Sequence, residues 1–221
     1  MENIHQLNIV THVIAGTIAL LAGLTAAVVK KGGKRHVQYG RFFMWIMVVV
    51  ILTALIGVFV FKRNTFLLVI TLLSGYTCFS GIRSIKLRGQ KPTLLDGVIP
   101  IFVMASSIYY LYYIHSLGLY WSPVITYSTI GALFLVTCYD LLKFLMPVHV
   151  LFRAMIYEHI YKMMSALSAI ASAFSGTVFS NYKPYSQFLP SVMGLIFIIV
   201  TFIYYSKKNI FRKTNLVSKS R

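Results

Sequence analysis

The sequence predicts an all-α membrane protein, a single bundle of seven transmembrane helices with its amino terminus outside and its carboxyl terminus in the cytoplasm. Of 221 residues, 58% are hydrophobic and only 11% are charged, which leaves too little polar surface for a soluble globule of this size. Apolar runs of the length needed to cross about 30 Å of hydrocarbon recur along the chain. Basic residues concentrate in alternate connections between these runs, as in polytopic membrane proteins.

The seven predicted spans cover most of the chain. They are approximately residues 8–29, 42–61, 65–84, 97–117, 122–144, 154–179 and 188–206. The connections are short and basic or contain Pro and Gly, so there is no room for a separate soluble domain. We therefore expect one transmembrane domain over residues 1–206 and a basic cytoplasmic tail over residues 207–221. The first seven residues lack Lys and Arg, so the first span does not resemble a secretory signal and is expected to be retained.

The distribution of Lys and Arg sets the predicted orientation. Seventeen of the 21 basic residues fall on one side of the predicted topology and three on the other, with Lys162 inside the sixth span. The positive-inside rule assigns the richer side to the cytoplasm. The tail carries six basic residues and no acidic one, so we expect it to contact anionic lipid headgroups. Basic residues that punctuate apolar runs argue against nucleic acid as a partner.

Small residues form a stripe along the first predicted helix. His12, Gly16, Ala19 and Gly23 share one face, a spacing that lets a neighbouring helix approach closely. Packing is therefore the expected role of the stripe. His12 lies near the outer boundary, where it is either a hydrogen-bonded interfacial histidine or a ligand that faces the bundle.

The sixth predicted helix contains three ionisable residues within five positions, namely Glu158, His159 and Lys162. Ionisable groups inside a membrane are costly and normally face a partner or a watery cavity. Glu158 and Lys162 are one helical turn apart, so we expect them to neutralise each other. His159 points to another side of the helix and is left for a different partner.

Other polar residues fall at the same predicted depth near the cytoplasmic side. Together with His159, the residues His36, Asp96 and Asp140 would form a divalent-metal site or a proton-handling network if they converge. The alternative is that each satisfies a helix end or offsets a neighbouring basic residue. Asp96 in particular stands near the amino end of its helix, where negative charge is favoured.

Histidines in helical bundles also hold haem b between two imidazoles. At 1.5 Å per residue, His159 and His12 are about 15 Å apart along the membrane normal, so they cannot share one iron. The candidate haem pairs are therefore His36 with His159 on the inner side and His12 with His115 on the outer side.

Several short motifs resemble a family of bacterial seven-helix membrane proteins, the domain of unknown function 2306 (DUF2306). The matching pieces are His12-x-x-x-Gly16 with Ala19-Leu20 and Gly23; Lys31-Gly32-Gly33-Lys34-Arg35-His36 with Gly40 and Phe43; Lys91-Pro92 with Asp96; Asp140-Leu141 with Phe144; His159-Ile160 with Met163; and Ala173-Phe174. The likeness departs where the family usually has Arg, at Val37 and at Lys162. The resemblance implies a multi-pass protein of the bacterial cytoplasmic membrane and no particular activity. It directs attention to His12, His36, Asp96, Asp140 and His159.

Three functional classes follow from these features. The sequence favours a non-catalytic membrane component with a polar His/Asp cluster near its cytoplasmic side. The alternatives are a transporter or proton-coupled carrier that uses this cluster, and a membrane redox protein that binds haem or a metal. No catalytic motif supports an enzyme. A homo-oligomer and an assembly with another membrane protein both remain open.

Overall fold

The chain folds into helices throughout the part that the structure describes. The computed structural model describes residues 2–61, 66–116 and 123–219, with side chains described in these ranges except at 66–67, 114, 123–126 and 208–219. Within these ranges there are seven α-helices, one short 3-10 helix and no β-strand, which confirms the all-α prediction. The helices are α1 (Glu2–Val28), α2 (Lys34–Phe59), α3 (Phe66–Lys86), α4 (Leu94–Ser116), α5 (Pro123–Leu142), α6 (Val148–Val178) and α7 (Tyr185–Lys219), and the 3-10 helix is Ser180–Tyr182.

Five of the described helices are long and apolar enough to cross a membrane. The qualifying segments are Glu2–Val28, Lys34–Phe59, Leu68–Lys86, Leu94–Tyr113 and Tyr185–Lys207, and Tyr127–Leu142 forms a shorter apolar helix. The 31-residue α6 is not among them and carries the ionisable residues of the sixth predicted span. Large apolar side chains such as Leu21, Trp45 and Phe102 are exposed on the outside of the bundle. This composition and this outer surface are those of a membrane protein.

Helices α3 and α6 form the centre of the bundle. Helix α6 packs against α3, α7 and α1, and α3 also contacts α2, α4 and α5. Helices α1 and α2 pack together on one side, and α4 and α5 pair on the other. The largest buried apolar cluster joins α1, α2, α3 and α6 around Ala19, Phe43, Met47 and Leu167.

The small-residue stripe of α1 faces this cluster. Ala15, Ala19, Ala22, Gly23 and Ala26 are the buried residues of the helix. A Cβ atom at Gly23 would lie 2.6 Å from Cδ1 of Leu167 and 3.0 Å from the ring of Phe43. Ala19 and Gly23 of the predicted stripe therefore serve close helix packing, as expected from their spacing, whereas a Cβ atom at Gly16 would have no atom within 4 Å.

The connections at one end of the bundle are tight. Gly32 and Gly89 have φ angles of +73° and +76°, a region that glycine adopts without the steric cost of a Cβ atom. A Cβ at Gly89 would lie 2.5 Å from Cα of Phe152 in α6. The ammonium group of Lys91 also donates to the carbonyl oxygens of Phe144 and Met146, at 3.2 and 2.7 Å. The α3–α4 and α5–α6 connections therefore meet at the same end.

Helix α7 continues beyond its predicted span through Lys219, so most of the predicted tail has a helical backbone. The side chains of residues 208–221 lie outside the described residues. The expected contact of the tail with lipid headgroups therefore remains a prediction.

Candidate functional site

Two lysines and two carboxylates form a buried ionic network between α5 and α6. The ammonium group of Lys143 lies 2.7 Å from Asp140 and 2.6 Å from Glu158. The ammonium group of Lys162 lies 2.5 Å from each of the same two carboxylates. Each cation thus bridges both anions, and all four side chains are buried. We call Asp140, Lys143, Glu158 and Lys162 the four-charge network.

Helix α3 completes the hydrogen bonding of this network. Ser80 donates to Oδ2 of Asp140 at 2.6 Å, and the hydroxyl of Tyr76 donates to the same oxygen. Lys162 also donates to the hydroxyl oxygen of Ser80 at 2.5 Å. Both oxygens of Asp140 are therefore occupied, and the network joins three helices.

The formal charge of the network is zero, because it contains two positive and two negative groups. Opposite charges in a low-dielectric interior attract strongly, and they offset the cost of removing each one from water only when all are paired. The pairing explains how α6 can carry Glu158 and Lys162 at buried positions.

Asp96 belongs to a separate ion pair. Its two carboxylate oxygens accept hydrogen bonds from Nε and Nη2 of Arg83, at 2.8 and 2.7 Å. The backbone and side chain of Thr93 also donate to Asp96. This carboxylate therefore caps the start of α4 and fixes it to α3, so it satisfies a helix end and offsets a basic residue and is not a metal ligand.

The metal set of four residues inferred from the sequence does not come together. Asp96 is held by Arg83, and Asp140 by two lysines. Among the residues that the structure describes, no group of three or more His, Cys, Asp or Glu side chains is arranged to hold a metal ion. The two acidic members of the set have cationic partners instead, and the two histidines lie beside each other.

The histidines His36 and His159 meet at the polar end of the bundle. Their ring centres are 6.4 Å apart, and the ring planes are inclined by 79°. Nδ1 of His36 lies 2.9 Å from the carbonyl oxygen of Ala26, and Nδ1 of His159 lies 2.7 Å from that of Gly81. Nearby, burial lowers the pKa of Lys31 in the α1–α2 connection.

The outer histidines occupy different places. Nδ1 of His12 lies 2.8 Å from the hydroxyl oxygen of Thr53, so this histidine connects α1 to α2. His115 lies in the last turn of α4. Within the described residues α1 and α4 make no contact, and the outer pair inferred from the sequence is therefore not brought together.

A cleft between α5, α6 and α7 opens beside the four-charge network. Its volume is about 320 Å³, and its walls are mostly apolar and aromatic, with Val136, Tyr139, Tyr157, Tyr161 and Phe202 among the lining residues. Glu158 and Lys162 also line it. Two members of the network are therefore within reach of a molecule in the cleft.

Three important residues of this site did not emerge from the sequence. Lys143 stands three positions after Asp140, a helical spacing typical of an ion pair, but the sequence does not indicate that Glu158 of α6 is its second partner. Tyr76 and Ser80 share one face of α3, and nothing in the sequence indicates which helix that face contacts. Their roles depend on tertiary packing.

No family model, no curated protein and no solved structure matches this chain.

Proposed function

We propose that this chain is a non-catalytic protein of the bacterial cytoplasmic membrane, and specifically a carrier that exchanges a small amphiphilic organic cation for a proton. The observation that supports this proposal is that Glu158 and Lys162 belong both to the four-charge network and to the wall of the aromatic cleft. A molecule in the cleft can therefore act directly on the buried charges.

The proposal includes seven spans with the amino terminus outside. Helix α5 has 20 residues, enough to cross about 30 Å at 1.5 Å per residue. Helix α6 can cross because its buried charges are neutralised within the bundle. The basic connections adjoin the network, so the positive-inside rule puts the network on the cytoplasmic side. We further propose that the chain is a member of the DUF2306 family, which its motifs resemble.

The cleft suits an organic cation. Its volume of about 320 Å³ falls within the range of small-molecule sites. Aromatic faces attract cations, and the ring of Tyr139 already has the ammonium groups of Lys143 and Lys162 at 5.9 and 5.7 Å from its centre. The Glu158 carboxylate supplies a negative charge for the polar end of the ligand, while the apolar walls accept its body.

Charge balance provides the coupling to protons. The network is neutral when its four groups are ionised, so a bound cation adds one uncompensated positive charge to a low-dielectric region. Release of one proton from a network lysine restores neutrality. Binding of the cation and release of the proton are therefore linked, which is the requirement for exchange transport.

Uptake of benzyltrimethylammonium into proteoliposomes that contain the full chain tests this function. A quaternary ammonium ion carries no titratable proton, so any coupling must come from the protein. We expect an inside-acid pH gradient to drive uptake above that of empty liposomes, and a protonophore to abolish it.

A pair of variants on α6 tests whether the cleft is the site through which the cation is transported. Ala154 lines the cleft, so Ala154→Phe should fill it and abolish uptake, whereas Ala173→Phe changes an exposed residue of the same helix and should preserve it. Uptake no greater than in empty liposomes, or equal uptake in both variants, would contradict the proposal.

A further inference from the structure

The paired imidazoles of His36 and His159 lie outside the four-charge network and have no role in the proposed exchange. We propose that they bind one imidazole-preferring transition-metal ion, with copper as the favoured metal. The site joins α2 to α6 at the polar end of the bundle, and this inference does not depend on the carrier function.

The hydrogen bonds of the two rings fix their tautomers. A carbonyl oxygen can only accept, so Nδ1 of His36 must donate its proton to Ala26, and Nδ1 of His159 must donate to Gly81. In the neutral rings each Nε2 atom then carries a free lone pair. Neither Nε2 has a hydrogen-bond partner among the described residues. This arrangement, with one ring nitrogen anchored on a carbonyl and the other open, is typical of metal-binding histidines.

The separation of the rings fits a shared ion. A metal–nitrogen bond of about 2.0–2.1 Å, with roughly 1.1 Å from Nε2 to the ring centre, separates two ring centres by about 5 Å at a tetrahedral angle and by about 6 Å when the ligands are opposed. The observed 6.4 Å is slightly longer than the separation of opposed ligands. A shared ion therefore requires a slightly closer approach of the two rings, with both Nε2 atoms facing the ion.

The backbone holds both rings in place without a metal. His36 is hydrogen-bonded to a carbonyl oxygen in the last turn of α1, and His159 is hydrogen-bonded to a carbonyl oxygen of α3. At Gly81 the helices α3 and α6 are so close that a Cβ atom would lie 3.0 Å from Cβ of Lys162 and 3.1 Å from Sδ of Met163. Ligands that are already positioned lose little conformational freedom on binding, which favours affinity.

The surrounding packing favours an ion over haem. Phe43 and Leu167 follow His36 and His159 by about two helical turns, and both side chains lie against Gly23 of α1 within the same buried cluster. A flat macrocycle between the two imidazoles would extend into this packed cluster, whereas a single ion would not. The geometry therefore narrows the haem or metal prediction for this pair to a metal ion.

Copper is favoured because the site has few ligands and basic surroundings. The protein supplies two imidazoles, so solvent must complete the coordination. The ammonium group of Lys31 donates to the carbonyl oxygen of Ala27, next to the Ala26 carbonyl that holds His36. A cation that binds beside a lysine needs a strong intrinsic preference for imidazole, and Cu²⁺ stands highest in the affinity order of the divalent first-row metals.

Copper loading of the full-length protein tests the site. The protein is purified in detergent through a tag without histidine, incubated with Cu²⁺, desalted and analysed for bound copper. We expect one equivalent, with an electron paramagnetic resonance spectrum that shows coupling to imidazole nitrogen. Folded wild-type protein that retains no copper, or copper without imidazole coupling, would overturn the proposal whatever the variants do.

Asparagine substitutions separate metal binding from the structural hydrogen bonds. The amide nitrogen of Asn occupies the place of Nδ1, so His36→Asn and His159→Asn can preserve the bonds to the carbonyl oxygens while they remove Nε2. Each should raise the Kd for copper at least roughly tenfold. His149→Asn, at an exposed position near the start of α6, is the matched control and should bind as wild type. Equal affinity in all three variants would assign the copper to another site.

Discussion

Lys162 is the most deeply buried member of the four-charge network, and only 1% of this charged residue is exposed. A lysine so deeply buried is tolerated where its ammonium group has anionic partners, and here it has two, Asp140 and Glu158. The spacing of Glu158 and Lys162 predicts one of these contacts from the sequence. The other depends on how α5 and α6 are both arranged against α3, which no sequence pattern reveals.

Removal of one charge should destabilise the protein more than removal of a balanced pair. Asp140→Asn leaves the network with an excess positive charge, and we expect a loss of about 3–5 kcal/mol. Asp140→Asn combined with Lys143→Met leaves the Lys162–Glu158 pair and should recover part of this loss. Thermal unfolding in detergent measures the difference.

Glu2→Gln is the control, since it removes an acidic residue at an exposed position and should change stability by less than about 0.5 kcal/mol. If Asp140→Asn is as stable as Glu2→Gln, or if the double variant is much less stable than Asp140→Asn, the four charges do not act as a balanced unit.

Several helices extend beyond the apolar runs that predict them, although α5, at Pro123–Leu142, is shorter than its predicted span of residues 122–144. Helix α2 begins at Lys34, although its predicted span begins at residue 42, and α7 runs to Lys219, although its span ends at residue 206. The apolar run corresponds to the part of a helix that fits within the hydrocarbon of the membrane. Backbone hydrogen bonds continue the helix beyond it, through the basic residues of the interface. Sequence therefore predicted the number and kind of helices, but not their full lengths or their neighbours.

Close packing of α3 against α6 leads to a prediction at Gly81. Gly81→Ala places a methyl group 3.0 Å from Cβ of Lys162, whose side chain is fixed by the network, so α6 cannot easily move away. We expect a loss of about 1–3 kcal/mol. Gly16→Ala is the matched control on α1, because a Cβ there would have no atom within 4 Å, and its better helix propensity should stabilise by up to about 1 kcal/mol. Thermal unfolding of both variants checks this, and equal effects would contradict tight α3–α6 packing.

At the scale of the whole bundle, three groups of polar side chains lie at one end. The His36–His159 pair, the Arg83–Asp96 pair and the four-charge network lie where the α1–α2, α3–α4 and α5–α6 connections meet. The sequence predicts this common depth, because alternate helix ends return to the same side of a membrane. It predicts neither the division into three separate groups nor the cleft between α5, α6 and α7, which result from the helix arrangement.

Accessibility of single cysteines tests most directly whether this polar end faces the cytoplasm of a seven-span protein. With Cys78 and Cys138 replaced by serine, Lys183→Cys in the α6–α7 connection and His149→Cys at the start of α6 are treated with a membrane-impermeant maleimide in right-side-out vesicles. We expect Lys183→Cys to react at once and His149→Cys to react only after permeabilisation. Reaction of His149→Cys in sealed vesicles, with Lys183→Cys protected, would show the opposite orientation and would contradict a cytoplasmic network. Equal reaction of both positions in sealed vesicles would show that α6 does not cross the membrane.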